Sequence, residues 1–171
     1  MGIIGIIWAI IGVTALLLNP IVRLAPRGLE AIEGGLTGVQ WALLIGFALF
    51  MWYSEGVRGF QKNFSPRTAA RLRVLRAQPT GIRVVLAPLF AMGFFHANKR
   101  TRIVVWVILI MVICLIALVS LLSQPWRGII DVGVVVGLSW GLLTFWVYAF
   151  KALTQTQFSH SPQMDEREKG A

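Results

Sequence analysis

The chain has 171 residues, 57% of them hydrophobic and only 13% charged, with a mean hydropathy of +0.74 and a formal net charge of +9. A water-soluble domain carries about 25% charged residues, so the composition excludes an ordinary soluble globule and the surplus apolar surface has to face lipid. The single cysteine, Cys114, excludes an intrachain disulfide and any cluster of thiolate metal ligands; it reads as a small packing residue.

In chain order, the first apolar run extends from Gly2 to about Val22 and ends around Asn19 and Pro20, before Arg23 and Arg27. It lacks a basic leading segment and exceeds the roughly 7–15 apolar residues of a secretory signal, so it reads as a retained first span. A second run covers about Leu36 to Tyr53, closed by Ser54 and Glu55. A third covers Ile103 to about Leu122, and a fourth Ile129 to Phe150, with Asp131 near its start and Lys151 after its end. Each meets the length of roughly 17–25 residues needed to cross a bilayer. The expected fold is therefore all-α: four transmembrane helices in one domain, residues 1–153, followed by a tail, 154–171. That tail is polar, of mixed charge and too poor in apolar residues to offset its ordering entropy, so it is expected to be mobile.

Between the second and third spans, Val84 to Phe95 is apolar and contains Pro88. Twelve helical residues rise only about 18 Å against a hydrocarbon core of about 30 Å, which predicts one short interfacial or re-entrant helix. The same connection carries Arg58, Lys62, Arg67, Arg71, Arg73, Arg76, Arg83, Lys99, Arg100 and Arg102 against one acid, Glu55, hence ten of the sixteen basic residues. By the positive-inside rule this loop is cytoplasmic and both termini lie inside. Aromatic residues agree: Trp52, Tyr53, Trp106, Trp146 and Tyr148 fall near the inner boundary, Trp41 and Trp126 near the outer one, and Trp8 and Trp140 deeper, as packing residues.

Within the basic loop, Ser65 is placed to cap a helix with Pro66 at its first position. Thr68, Leu72 and Leu75 form its apolar stripe, and Arg67, Arg71, Arg73 and Arg76 flank the stripe. Such a helix can lie in the interface with its arginines on lipid phosphates, each cation being worth about 1 kcal/mol near an anionic leaflet. Arg58, Lys62, Lys99, Arg100 and Arg102 join it as expected contacts for anionic lipid or an acidic membrane-protein partner. No nucleic-acid-reading motif accompanies these charges.

Three polar residues mark membrane boundaries. Glu55 is expected to pair with Arg58 three residues on. Asp131 is expected to pair with Arg127 as a helix-start group favoured by the macrodipole. The fourth span also carries Gly133, Gly137 and Gly141, spaced four apart on one face, which permits close helix packing; the short hairpin suggests the third span as partner. His96 and His160 are the only histidines, and His96 reads as a polar helix end. With no catalytic constellation, no paired intramembrane carboxylates and no phosphate-cradling loop, neither a cofactor nor a metal site is expected, and an enzyme is disfavoured.

The runs WYSEGVRGFQKNFSPR, APLFAMGFFHANKR and QPWRGIIDVGVVVGLSWG resemble those of small uncharacterised bacterial inner-membrane proteins, over most of the chain. The resemblance implies a multi-pass inner-membrane protein and no activity. The expected role is thus a non-enzymatic accessory or interaction protein. The alternatives are a small oligomeric transporter with Asp131 or Glu55 on its path, and a lipid-modifying enzyme using Glu55 at the headgroup level.

Overall fold

The computed structural model describes residues 2–155 and 158–164. Every element named in it is a helix: α1 (Gly2–Glu33), α2 (Gly38–Met51), the π-helical π1 (Trp52–Phe64), α3 (Ser65–Ala77), α4 (Gly81–Val85), α5 (Ala87–Met92), α6 (Lys99–Ser120) and α7 (Trp126–Thr154). Three of them, α1, α6 and α7, are long and apolar enough to cross a membrane.

Pro20, expected to end the first span, lies inside α1 together with Pro26, and the helix runs on to Glu33. A proline forfeits a backbone hydrogen bond, but the helix beyond it is held by a close crossing with α7. An ideal Cβ on Gly28 would lie 2.6 Å from the Val132 side chain, and one on Gly128 would lie 2.3 Å from Ala31 Cβ. As residue numbers rise along α1 they fall along α7, so the two are antiparallel.

The second run is not closed at Ser54 and Glu55 either. The residues at both joints of α2, π1 and α3 are in the right-handed helical region, so the chain continues helical from Gly38 to Ala77. In the π segment the hydrogen bonds reach five residues back, as from Ser65 N–H to Phe60 O, which widens the turn. The wider turn keeps Met51, Gly56, Phe60 and Ser65 on α7 at a spacing of five, four and five residues. The α register resumes at Pro66, whose missing N–H cannot extend the ladder. Ser65 is consequently no cap: its side chain is buried and its hydroxyl lies 3.2 Å from Thr144 Oγ1.

Along this helix Gly133 faces Phe47 and Met51, Gly137 faces Met51 and Glu55, and Gly141 faces Phe60. The numbers rise together, so α2–π1–α3 runs parallel to α7. The glycine face of the fourth span therefore packs on the second helix, not on the third span as the hairpin suggested. The reason is shape: α6 offers a cylinder of branched side chains, whereas α2 delivers the Phe47 ring and Met51, and the π turn the Phe60 ring, into the glycine notches.

The expected single short helix is two. It breaks at Leu86 (φ −100°, ψ 31°), and α5 ends at Gly93 with φ 94°, a left-handed conformation that glycine adopts without strain. Nor does α5 lie flat on the surface, because Phe90 and Ala91 are fully buried. The core gathers Ile6, Ala9, Val13 and Leu17 of α1, Leu72 and Leu75 of α3, Phe90 of α5, and Phe145 and Ala149 of α7. The α1 set recurs every three or four residues, as one face of a helix requires. In α6, by contrast, only Thr101, Val105 and Val119 are buried.

Candidate functional site

The cations of the basic loop separate into two groups. Arg58, Lys62, Arg76, Lys99, Arg100 and Arg102 are exposed, and Arg67 and Arg73 are half-buried. Burial pulls the Arg67 guanidinium below its usual pKa. Arg71, expected among the phosphate-facing arginines, is fully buried instead. It shares a helix face with Thr68, Leu72 and Leu75, and α3 presents that face to the protein interior rather than to a membrane surface.

All five Arg71 N–H groups are used. Nε donates to Pro162 O at 2.9 Å, Nη1 to Phe90 O at 2.8 Å and Phe95 O at 3.2 Å, and Nη2 to His96 O and Gln163 O, each at 3.3 Å. A guanidinium has five such donors in a fixed plane, so none remains for a phosphate. Its charge is met by carbonyl dipoles and by the Phe90 ring, 5.2 Å away. Desolvation, then the nearby Arg67 and Arg83 charges, brings its pKa down to about 10, and it stays protonated at neutral pH. Arg83, also buried, donates from Nε to His96 Nδ1 at 3.2 Å and lies 5.6 Å from the same Phe90 ring.

Two residues whose carbonyls Arg71 holds, His96 and Gln163, have positive φ, 51° and 50°. Such non-glycine conformations persist only where their surroundings over-determine them, and Arg71 is part of that constraint. The rest comes from α6: Asn98 caps it by accepting the Thr101 N–H at 2.9 Å, Asn98 N–H donates to Gln163 O at 3.0 Å, and Thr101 Oγ1 bonds Gln163 Oε1 at 2.8 Å. Pro162 to Met164 is thereby docked, with Met164 in the core, where a mobile tail was expected; residues 156–157 and 165–171 lie outside the described residues. His96, read as a polar helix end, belongs to the same clamp. Arg71's place on the apolar face was the one sequence signal for it.

The boundary residues also differ from expectation. Glu55 is half-buried against Gly137, and among the described residues no Glu55–Arg58 ion pair forms. The π register turns Glu55 toward α7 and leaves Arg58 exposed. Nearby, Trp140 Nε1 donates to Gln61 Oε1 at 3.0 Å and its ring meets Trp52 edge-on.

Asp131 pairs with Arg127, but at 4.0 Å, and it is buried in the second turn of α7 rather than at its start, since that helix begins at Trp126. The macrodipole contribution, confined to the first turn, is therefore small. A long pair whose arginine is partly exposed is worth about 1 kcal/mol or less. Asp131→Asn is accordingly expected to shift thermal stability in detergent only slightly; a collapse of the fold would show that the carboxylate has a stronger partner. Among the described residues no group of three or more His, Cys, Asp or Glu side chains could hold a metal ion.

No family model matches the chain, and no curated protein or solved structure matches it significantly.

Proposed function

We propose that this is a non-enzymatic accessory or interaction protein of a bacterial inner membrane, whose exposed cytoplasmic cations contact anionic lipid headgroups. The observation that carries the membrane reading is α6: its most apolar stretch has a mean hydropathy of 3.3 and none of it is buried. Twelve of its large apolar side chains, from Ile103 to Leu118, are 38–65% exposed. At about 1 kcal/mol forgone for each half-exposed side chain, leaving them in water costs about 12 kcal/mol, comparable with the whole stability of a folded domain. In acyl chains that cost disappears.

In this reading there are four crossings: α1 outward, α2–π1 inward with α3 at the inner boundary, α6 outward and α7 inward. The parallel course of α2–π1 and α7, with α1 antiparallel to both, supports this arrangement. It puts Arg58, Lys62, Arg76, Lys99, Arg100 and Arg102 toward the inner leaflet, the longer side chains reaching the phosphates along their stems.

Two measurements test the reading. In a Cys114→Ala background, cysteines at Gln124 and Gln78, both exposed positions, should respectively react with and resist a membrane-impermeant thiol reagent added outside the cell. Labelling of position 78 from outside would reverse the orientation. Replacing the six exposed cations by glutamine should lower the anionic lipid retained after mild-detergent extraction several-fold, and unchanged retention would remove the lipid-contact role. The half-buried Glu55 on the α2–π1/α7 seam favours one second reading, a small oligomeric transporter; a charge-dependent flux abolished by Glu55→Gln would move it to first place.

A further inference from the structure

Of the three glycine notches spaced four apart on α7, two receive phenyl rings and the third receives an acid. An ideal Cβ on Gly137 would lie 3.3 Å from Glu55 Oε2 and 3.4 Å from Glu55 Cβ, so the Glu55 side chain lies along the notch instead of reaching for a membrane boundary. Gly137 stands eight residues inside the apolar run that opens at Ile129 and thirteen before it closes at Phe150, about 12 Å and 20 Å of helix. In the four-crossing arrangement that is the interior of the bilayer.

An ionised carboxylate at that depth is costly unless a cation pairs with it or a proton neutralises it. The helices packed on π1 are α2, α3 and α7. α2 has no ionisable side chain. On α7 the nearest is Asp131, six residues and about 9 Å toward the outer end, with its partner Arg127 beyond it, and Lys151 lies fourteen residues the other way. The first arginine of α3, Arg67, comes twelve residues after Glu55, ahead of Arg71, Arg73 and Arg76, while Arg58 and Lys62 of π1 itself are exposed. Glu55 thus has no cationic partner among the described residues, and a hard metal cation would need about six or more oxygen ligands.

The seam around this acid is polar on one side only. Toward the outer end it holds Phe47 and Met51 against Gly133. Toward the inner end, about 5 Å further along α7, Trp140 Nε1 donates to Gln61 Oε1, and about 6 Å beyond that the Ser65 and Thr144 hydroxyls lie 3.2 Å apart. Three residues on along α3, the Thr68 hydroxyl is fully buried and finds no hydrogen-bond partner in the protein. Amide and hydroxyl groups both donate and accept, so this side of the seam can hold water where the other cannot.

We propose that Glu55 is a reversible proton-binding site in the membrane interior, exchanging with the inner side along the α2–π1–α3/α7 seam. A proton taken up from that side cancels the charge in the Gly137 notch and one released restores it, so the packing of π1 on α7 responds to the pH at the inner face. The inference rests on the four-crossing reading, and it holds whether or not the chain carries a flux.

The test treats the full chain, in inverted membrane vesicles with the inner face outward, with dicyclohexylcarbodiimide, an apolar reagent that adds to protonated carboxyl groups shielded from water. One adduct is expected on the peptide carrying Glu55, its yield rising several-fold as the external pH is lowered at constant lumenal pH. Glu55→Gln should remove the adduct and Asp131→Asn should keep it; the reverse would overturn the assignment. Absence of an adduct on Glu55 at every pH would overturn the site, and a yield that follows the lumenal pH would overturn the inward route. Equal modification of Glu55 by a water-soluble carbodiimide would overturn its placement in the interior. Protection by sodium chloride but not by choline chloride would overturn the proton as ligand in favour of a metal cation. Thiol labelling at positions 78 and 124 judges the membrane reading separately: if it comes out as expected while Glu55 stays unmodified, the proton site alone falls.

Discussion

Arg71→Met is expected to destabilise the protein by about 3–5 kcal/mol, the cost of removing a buried charged partner that other groups were arranged around. Methionine fills much of the arginine volume, so the loss would come from the polar groups. Five carbonyls lose a donor at once; Phe90 O and Gln163 O keep the N–H groups of Gly93 and Asn98, and each buried acceptor then left unpaired costs about 1–3 kcal/mol, less where water can reach it. His96 and Gln163 would also lose a constraint on their positive φ angles. Against a net stability of about 5–15 kcal/mol this is a large fraction. Thermal denaturation in detergent should show it as a lower midpoint, and limited proteolysis should cut near Pro162 earlier than in the unmodified chain. Arg71→Lys should fall between the two, since an ammonium keeps the charge but has three donors and no fixed plane. A normal midpoint with reduced lipid retention would show instead that Arg71 faces headgroups.

The second large effect is expected on α7, where the added methyl of an alanine discriminates among glycines that look equivalent in the sequence. At Gly128 a Cβ would lie 2.3 Å from Ala31 Cβ and 2.9 Å from Arg27 O. These obstacles belong to the α1 backbone or adjoin it, so the two helices must move apart. At Gly133 and Gly141 the nearest atoms are the Phe47 and Phe60 rings, at 2.4 and 2.5 Å, which can shift only by disturbing their own packing. At Gly137 the closest approach is 3.3 Å, a contact that a small adjustment relieves. Overpacking of this kind costs about 1–3 kcal/mol, so Gly128→Ala should destabilise most, Gly133→Ala and Gly141→Ala next, and Gly137→Ala least. Gly46→Ala is the internal control. Nothing lies within 4 Å of a Cβ there, and alanine in a helix interior is favoured over glycine by about 0.5–1 kcal/mol. Detergent melts of the five variants measure the order directly; equal losses along α7 would mean that the helix crossings are looser than the contacts indicate.

Several features of this protein are legible in its sequence because they depend on one residue or one run at a time. Transfer to hydrocarbon is a property of each side chain, so summing it along the chain locates α1, α6 and α7 without knowing what they touch. The Asn98 cap of α6, the buried stripe of Thr68, Leu72 and Leu75, and the close packing at Gly133, Gly137 and Gly141 are likewise local patterns. The helix ends were less legible. Pro20 and Pro26 would stop an isolated helix, and only the Gly28 and Gly128 contacts between α1 and α7 explain why α1 continues. The π turn of Trp52–Phe64 has no sequence signature comparable to a cap, because its advantage lies in keeping Met51, Gly56, Phe60 and Ser65 on a second helix.

The same distinction governs the charged residues. From sequence, Arg71 is one cation among ten in a basic loop. Its role is set by five carbonyls that come from α5, the loop after it and the tail, the most distant of them 92 residues away. Composition by itself marked runs apolar and long enough to cross a membrane, since hydration of each side chain is additive along the sequence. The tertiary structure alone decided which helix fills the glycine face and which arginines are buried, because pairing energies depend on positions that no single segment specifies.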